Sequence, residues 1–222
     1  MQNPILLVLF VLGLLLLATF YFVSALLYKS RHQQKYHFYQ MFPYEFNYPS
    51  VFKDNPYGNV LFILGGFAVV IFYIFNPYSS IYRIVTIVIA IVFVMILICL
   101  IMMPLNYLRT HMVLSITSMT LSMALPLFNF FLALNQYKIE PESIKRIMCI
   151  ISMVISGVLA LIMIALILNP RLTFKIYVDK ETDSSGNEVL KRPKVIYLAL
   201  SEWMAIFIFF LSPLGVLLIS IL

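Results

Sequence analysis

Six apolar runs, each long enough to cross a bilayer, constrain this chain more than any other feature. They lie near residues 4–28, 59–76, 81–103, 112–134, 147–168 and 196–222. A hydrocarbon layer about 30 Å thick needs roughly 17–25 apolar helical residues. Hydrocarbon offers no partner to backbone amides, so a spanning run satisfies them internally as helix; the period-two alternation of a barrel strand is absent. Pro4 suits a first helical turn, where its missing N–H costs nothing. Asn76-Pro77-Tyr78 and Asn169-Pro170 punctuate span ends, because proline disfavours helix in the residue before it. The second run is the shortest and carries Gly65-Gly66.

Composition agrees. Of 222 residues, 63% are hydrophobic and 11% charged, where a soluble domain is about half apolar and a quarter charged. The expected fold class is therefore an all-α integral membrane protein. It has a single transmembrane domain over residues 1–222 and six helices, with a cytoplasmic β-hairpin between the fifth and sixth. The first run lacks a basic leader and an A-x-A cleavage site, and reads as a retained span rather than a signal peptide. The net charge of +6 resides in connections and does not form a nucleic-acid surface.

Lys and Arg between spans give the orientation. The first loop holds Lys29, Arg31, Lys35 and Lys53. The second holds Arg83, the third Arg109, and the fourth Lys138, Lys145 and Arg146. The fifth holds Arg171, Lys175, Lys180, Lys191, Arg192 and Lys194. Eleven in odd loops against four in even loops expects odd loops in the cytoplasm and both termini outside, in the plasma membrane. Cys99 and Cys149 then sit in opposite leaflets and do not pair.

The first loop, 29–58, is basic and then crowded with rings. Lys29, Arg31 and Lys35 are expected to meet anionic headgroups. Phe38, Tyr39, Phe42, Tyr44, Phe46 and Tyr48 either lie in the headgroup layer or dock another membrane protein or a second copy of the chain. His32 and His37 are five apart, the wrong interval for two metal ligands on one helical face. In the fifth loop, 169–195, "TFKIYV" alternates and "DSSGNE" is turn chemistry, which together predict the hairpin. Asp179, Glu181, Asp183 and Glu188 fail the calcium-loop pattern, since Ser184 stands where glycine is required.

Within the spans, Glu202 is the one carboxylate inside an apolar run. Counting about 20 residues back from Leu222 at ~1.5 Å each places it at the cytoplasmic interface beside a belt residue, Trp203. There it is expected to pair with Arg192, Lys194, Arg171 or Arg109; the alternative is a proton- or cation-binding acid facing a cavity. On the fourth span His111, Ser115, Ser118, Ser122, Pro126 and Asn129 share an arc of roughly 80° at about 100° per residue. Such a stripe lines a path or bonds helices together. Ser152, Ser156 and Ala160 form a small-residue packing face on the fifth span, one that can meet the fourth-span stripe.

No HExxH, GxSxG, intramembrane aspartate pair or phosphate-binding glycine loop occurs, and no cofactor or metal is implied. The only imaginable catalytic pairing is Glu202 with His111. The sequence favours a non-catalytic subunit or accessory partner of a membrane complex. A small transporter or channel using the fourth-span stripe and Glu202 is the alternative.

Overall fold

The computed structural model describes residues 4–47, 51–78, 81–103, 108–172, 179–182, 188–191 and 193–220. Its helices are α1 (Pro4–His32), α2 (Val51–Asp54), α3 (Pro56–Ile74), α4 (Ile81–Met102), α5 (Leu108–Ile139), α6 (Ser143–Ile167), α7 (Tyr197–Leu211) and α8 (Pro213–Ser220). A 3-10 turn covers Pro43–Asn47. Among the described residues six helices are long and apolar enough to cross a membrane, with α7 and α8 forming the sixth. The protein is embedded in a membrane through them.

Element ends follow local chemistry. Pro56 and Pro213 each open a helix, where the lost N–H is free of cost. α1 runs four residues past the expected limit, with Lys29, Arg31 and His32 in its last turn, where positive charge opposes the helix dipole. It stops at Gln33, whose φ of 55° is left-handed and whose N–H returns to the Lys29 carbonyl at 3.0 Å, a capping geometry.

Sequential spans are neighbours, through short connections between α3, α4, α5 and α6 and through the long first connection between α1 and α3: α1 lies on α3, α3 on α4, α4 on α5 and α5 on α6. The last span contacts α1, α3, α5 and α6. It is the centre of the bundle: 72% of its apolar window is buried in the protein, against 22% for α1. The outer face of α1 shows the complement. Val8, Leu15, Phe22 and Leu26 are 60–67% exposed, at intervals that keep one helical stripe towards lipid. Gly65-Gly66 explain themselves by close approach. A Cβ on Gly65 would stand 3.0 Å from the Phe210 ring and 3.2 Å from Leu16 Cβ, and one on Gly66 3.2 Å from Val94.

The expected cytoplasmic β-hairpin is corrected: the architecture is helical, and among the described residues no hairpin of the expected extent is a constituent of it. The stretch read as its first strand, 173–178, lies outside the described residues. What is described is a four-residue pairing, Asp179–Thr182 with Glu188–Lys191, in the register Asp179 to Lys191. The extended pattern read through Val195 and Ile196 fails because Tyr197 already begins α7.

Candidate functional site

Because the spans alternate, α5 and α7 cross in the same direction, and their first turns share one end of the bundle. His111 stands one turn before Ser115 on α5. Both point at Glu202, five residues or about 7–8 Å into α7 at ~1.5 Å per residue. His111 Nε2 lies 3.1 Å from Glu202 Oε1, and the Ser115 hydroxyl donates to the same oxygen at 2.5 Å. All three residues are 0% exposed. His111 Nδ1 lies 3.1 Å from the Met103 carbonyl. Among the described residues Glu202 Oε2 has no hydrogen-bond partner.

Glu202 therefore takes an internal partner in place of the basic ones expected from depth. Arg171 instead donates to the Tyr197 hydroxyl at 3.3 Å, and Arg192 lies outside the described residues. Trp203 is not a belt residue: it is fully buried. The physical reason is that the first connection folds back over this end of the bundle.

That connection is built as a roof. Trp203 Nε1 donates to the Tyr36 hydroxyl at 3.0 Å and to the Met41 carbonyl at 3.1 Å. The Tyr36 hydroxyl in turn donates to the Phe42 carbonyl at 2.8 Å, with the Met41 carbonyl at 3.1 Å. Burial first, then the Glu45 carboxylate, hold the Tyr36 pKa well above the usual tyrosine value, so the hydroxyl stays a donor. The Phe42 N–H donates to Glu45 at 2.9 Å. Asn47 donates to the Ile101 carbonyl at 3.0 Å, and the Ile196 N–H to the Tyr39 carbonyl at 2.8 Å. Arg31 pairs with Asp54 at 3.1 Å and donates to the Phe46 carbonyl at 2.9 Å. Underneath, the rings of Phe42 and Tyr44 stand edge-on to the His111 ring at 6.1 and 5.3 Å.

The aromatic loop is thus only partly a surface. Phe42 and Phe46 are buried, and Tyr36 stacks on Phe46 at 3.9 Å. Phe38 is half-buried against Phe207. Lys29, Lys35 and Tyr39 are exposed. Tyr48 lies outside the described residues. Placing Phe42 and Phe46 in the headgroup layer is corrected, since Trp203, Phe20 and Tyr21 surround Phe46 and His111 faces Phe42, giving these rings a protein interior.

The rest of the α5 stripe divides by partner. Ser118 and Ser122 are buried and donate back to Ser115 and Met119 carbonyls of their own helix. Asn129 reaches across, donating to the Tyr73 hydroxyl and the Ser212 carbonyl, each at 2.9 Å. Ser212 keeps helical dihedrals, φ −55° and ψ −35°, so the last span continues through Ser212-Pro213. Ser152 and Ser156 of the small-residue face of α6 meet α8. Ser152 donates to the Gly215 carbonyl at 2.6 Å, Ala160 is buried, and a Cβ on Gly215 would sit 2.4 Å from Ser156 Oγ.

Sequence reasoning missed Tyr36, Met103 and Tyr73 as partners of these groups. Each contributes through its position in the fold, and no motif marks it. Among the described residues no group of three or more His, Cys, Asp or Glu could hold a metal ion.

Fold and site together define a six-span helical membrane protein with a roofed carboxylate–imidazole pair in its interior. No protein-family model matches the chain, and no curated protein or solved structure matches it significantly.

Proposed function

We propose that the protein is a small cation-coupled carrier whose working group is Glu202, held by His111 and Ser115. One observation carries this reading: a carboxylate wholly buried among membrane-spanning helices, with one oxygen contacted by both His111 and Ser115 and the other without a partner among the described residues. An ionisable group in such a place is costly and typically marks an ion path or a proton relay. The α5 stripe leads from this pair to Asn129 at the last span, which supports a polar route along the α5–α7 seam. The distribution of lysine and arginine supports an orientation with the roofed end towards the cytoplasm, and the plasma membrane is the proposed location.

The accessory-subunit reading loses much of its basis, because Phe42 and Phe46 serve the interior. A partner or second copy would meet the exposed Lys29, Lys35 and Tyr39 and the anionic lipid around them. The test is ion flux into liposomes containing the purified protein under imposed H+, Na+ or K+ gradients. Flux through the native protein that Glu202→Gln abolishes supports the carrier. No flux, or equal flux in both proteins, removes it.

A further inference from the structure

Proton counting at the pair bears on which ion the site would take. A carbonyl oxygen only accepts, so His111 Nδ1, at 3.1 Å from the Met103 carbonyl, carries a hydrogen. His111 Nε2 and Glu202 Oε1 are 3.1 Å apart. Without a proton between them two lone pairs would face each other at that distance, so one resident proton lies there. Whether it sits on nitrogen or oxygen, the pair is neutral. Ser115 adds a second hydrogen bond to Oε1, and that oxygen is then fully used. Glu202 Oε2 remains, buried and without a partner among the described residues.

Among the described residues the charged and titratable groups around it are few. α5 supplies His111. The roof supplies Tyr36, Tyr44 and Glu45, and α1 supplies Tyr21, whose ring is 5.6 Å from that of Trp203. Tyr197 and Arg171 are bonded to each other at the start of α7. Among the described residues the one ion pair of Glu202 is with His111. A desolvated metal cation needs several oxygen ligands at once, and among the described residues no group of three or more His, Cys, Asp or Glu is placed to supply them, whereas a proton needs a single oxygen.

We propose that Glu202 Oε2 is a proton-loading atom and that the ion bound at this site is H+, an assignment that rests on the carrier reading. In the loading step hydronium gives its proton to Oε2. An O–H bond forms there, water is released, and the pair passes from neutral to a net charge of +1 as the resident proton settles on His111 Nε2. Unloading returns that proton to water on the other side.

The test is infrared difference spectroscopy of the full chain in lipid nanodiscs, acid minus neutral. The expected result is a carboxylic-acid C=O band that shifts in D2O, is absent from Glu202→Gln and changes frequency in Glu202→Asp. Replacing K+ by Na+ at fixed pH should leave it unaltered. An identical band in Glu202→Gln, no acid-induced band at all, or a band that Na+ suppresses would overturn the assignment. The two proposals fail separately. Sodium suppression with Glu202-dependent flux leaves the carrier standing without the proton, whereas a titrating Glu202 in a protein that moves no ions leaves the proton site without the carrier.

Discussion

Trp203 and Tyr36, 167 residues apart in sequence, are joined by a hydrogen bond of 3.0 Å from the indole N–H to the phenol oxygen. This contact fastens the first connection to the central span at the residue next to Glu202. Tyr36 is both acceptor and donor there, so Tyr36→Phe keeps the ring stack on Phe46 but leaves the buried Trp203 N–H with the Met41 carbonyl alone. Loss of a buried bonded hydroxyl costs about 1–3 kcal/mol. The chain has one tryptophan, so its fluorescence reports on the roof directly. Tyr36→Phe should lower the thermal midpoint and raise quenching by acrylamide; unchanged quenching would show that the roof does not depend on this clasp.

A second prediction compares two serines on neighbouring helices. Ser152 bonds across to α8, while Ser118 bonds within α5. A hydrogen bond between membrane helices is worth on average about 0.6 kcal/mol and up to about 1.7, whereas a back-bond to the preceding turn adds little to packing. Ser152→Ala should therefore destabilise more than Ser118→Ala in urea or thermal unfolding in detergent. Gly215→Val should exceed both, because its side chain would enter space held by Ser156. The reverse order of the two serine variants would mean that the α6–α8 seam is not as tight as its contacts imply.

These contrasts show what was legible in the sequence. The six spans could be read because hydrocarbon imposes helix on any long apolar run. Their ends moved by a few residues where a cap such as Gln33 or a proline such as Pro56 decided the matter. The inward face of α5 could also be read, since one arc collects His111, Ser115 and Asn129. The partner of each group could not. Depth counted along one helix places Glu202 near a membrane face, and it is close to the end of its helix. It cannot reveal that residues 36–47 fold over that end. Rings such as Phe42 and Phe46 suit a headgroup layer and a protein interior equally well by composition. The choice was made by Trp203, far away in sequence. The hairpin failed for a different reason: alternation through Val195 and Ile196 competes with helix formation in the last span, and the helix begins at Tyr197.

A third prediction concerns the far end of the stripe. Asn129 ties α5 to α3 and to the last span through Tyr73 and Ser212, all within a buried environment. Asn129→Ala removes both bonds and opens a small cavity. It should cost about 1–3 kcal/mol in detergent unfolding, and under the carrier reading it should also lower flux. Tyr73→Phe removes only one of the two partners and should cost less. Equal losses for the two variants would place the important bond at Tyr73 rather than at Ser212.

The last prediction separates structure from function at the central pair. Glu202→Leu strips an acceptor from both His111 and Ser115, and His111→Leu leaves the carboxylate with Ser115 alone. Each single change leaves a buried polar group unmet, and breaking such a pair costs about 3–5 kcal/mol. Replacing both partners by apolar groups of similar size removes the unmet imidazole or carboxylate along with the bond, leaving only the Ser115 hydroxyl and the Met103 carbonyl to lose a partner. The double variant should therefore be more stable than the sum of the single losses predicts, by about 0.5–3 kcal/mol of coupling. Thermal unfolding of the four proteins in one detergent measures this directly; strict additivity would mean that His111 and Glu202 do not act on each other. If the pair serves only to hold α5 against α7, restored stability in the double variant should restore everything. If Glu202 carries a proton, the same stable variant should move no ions.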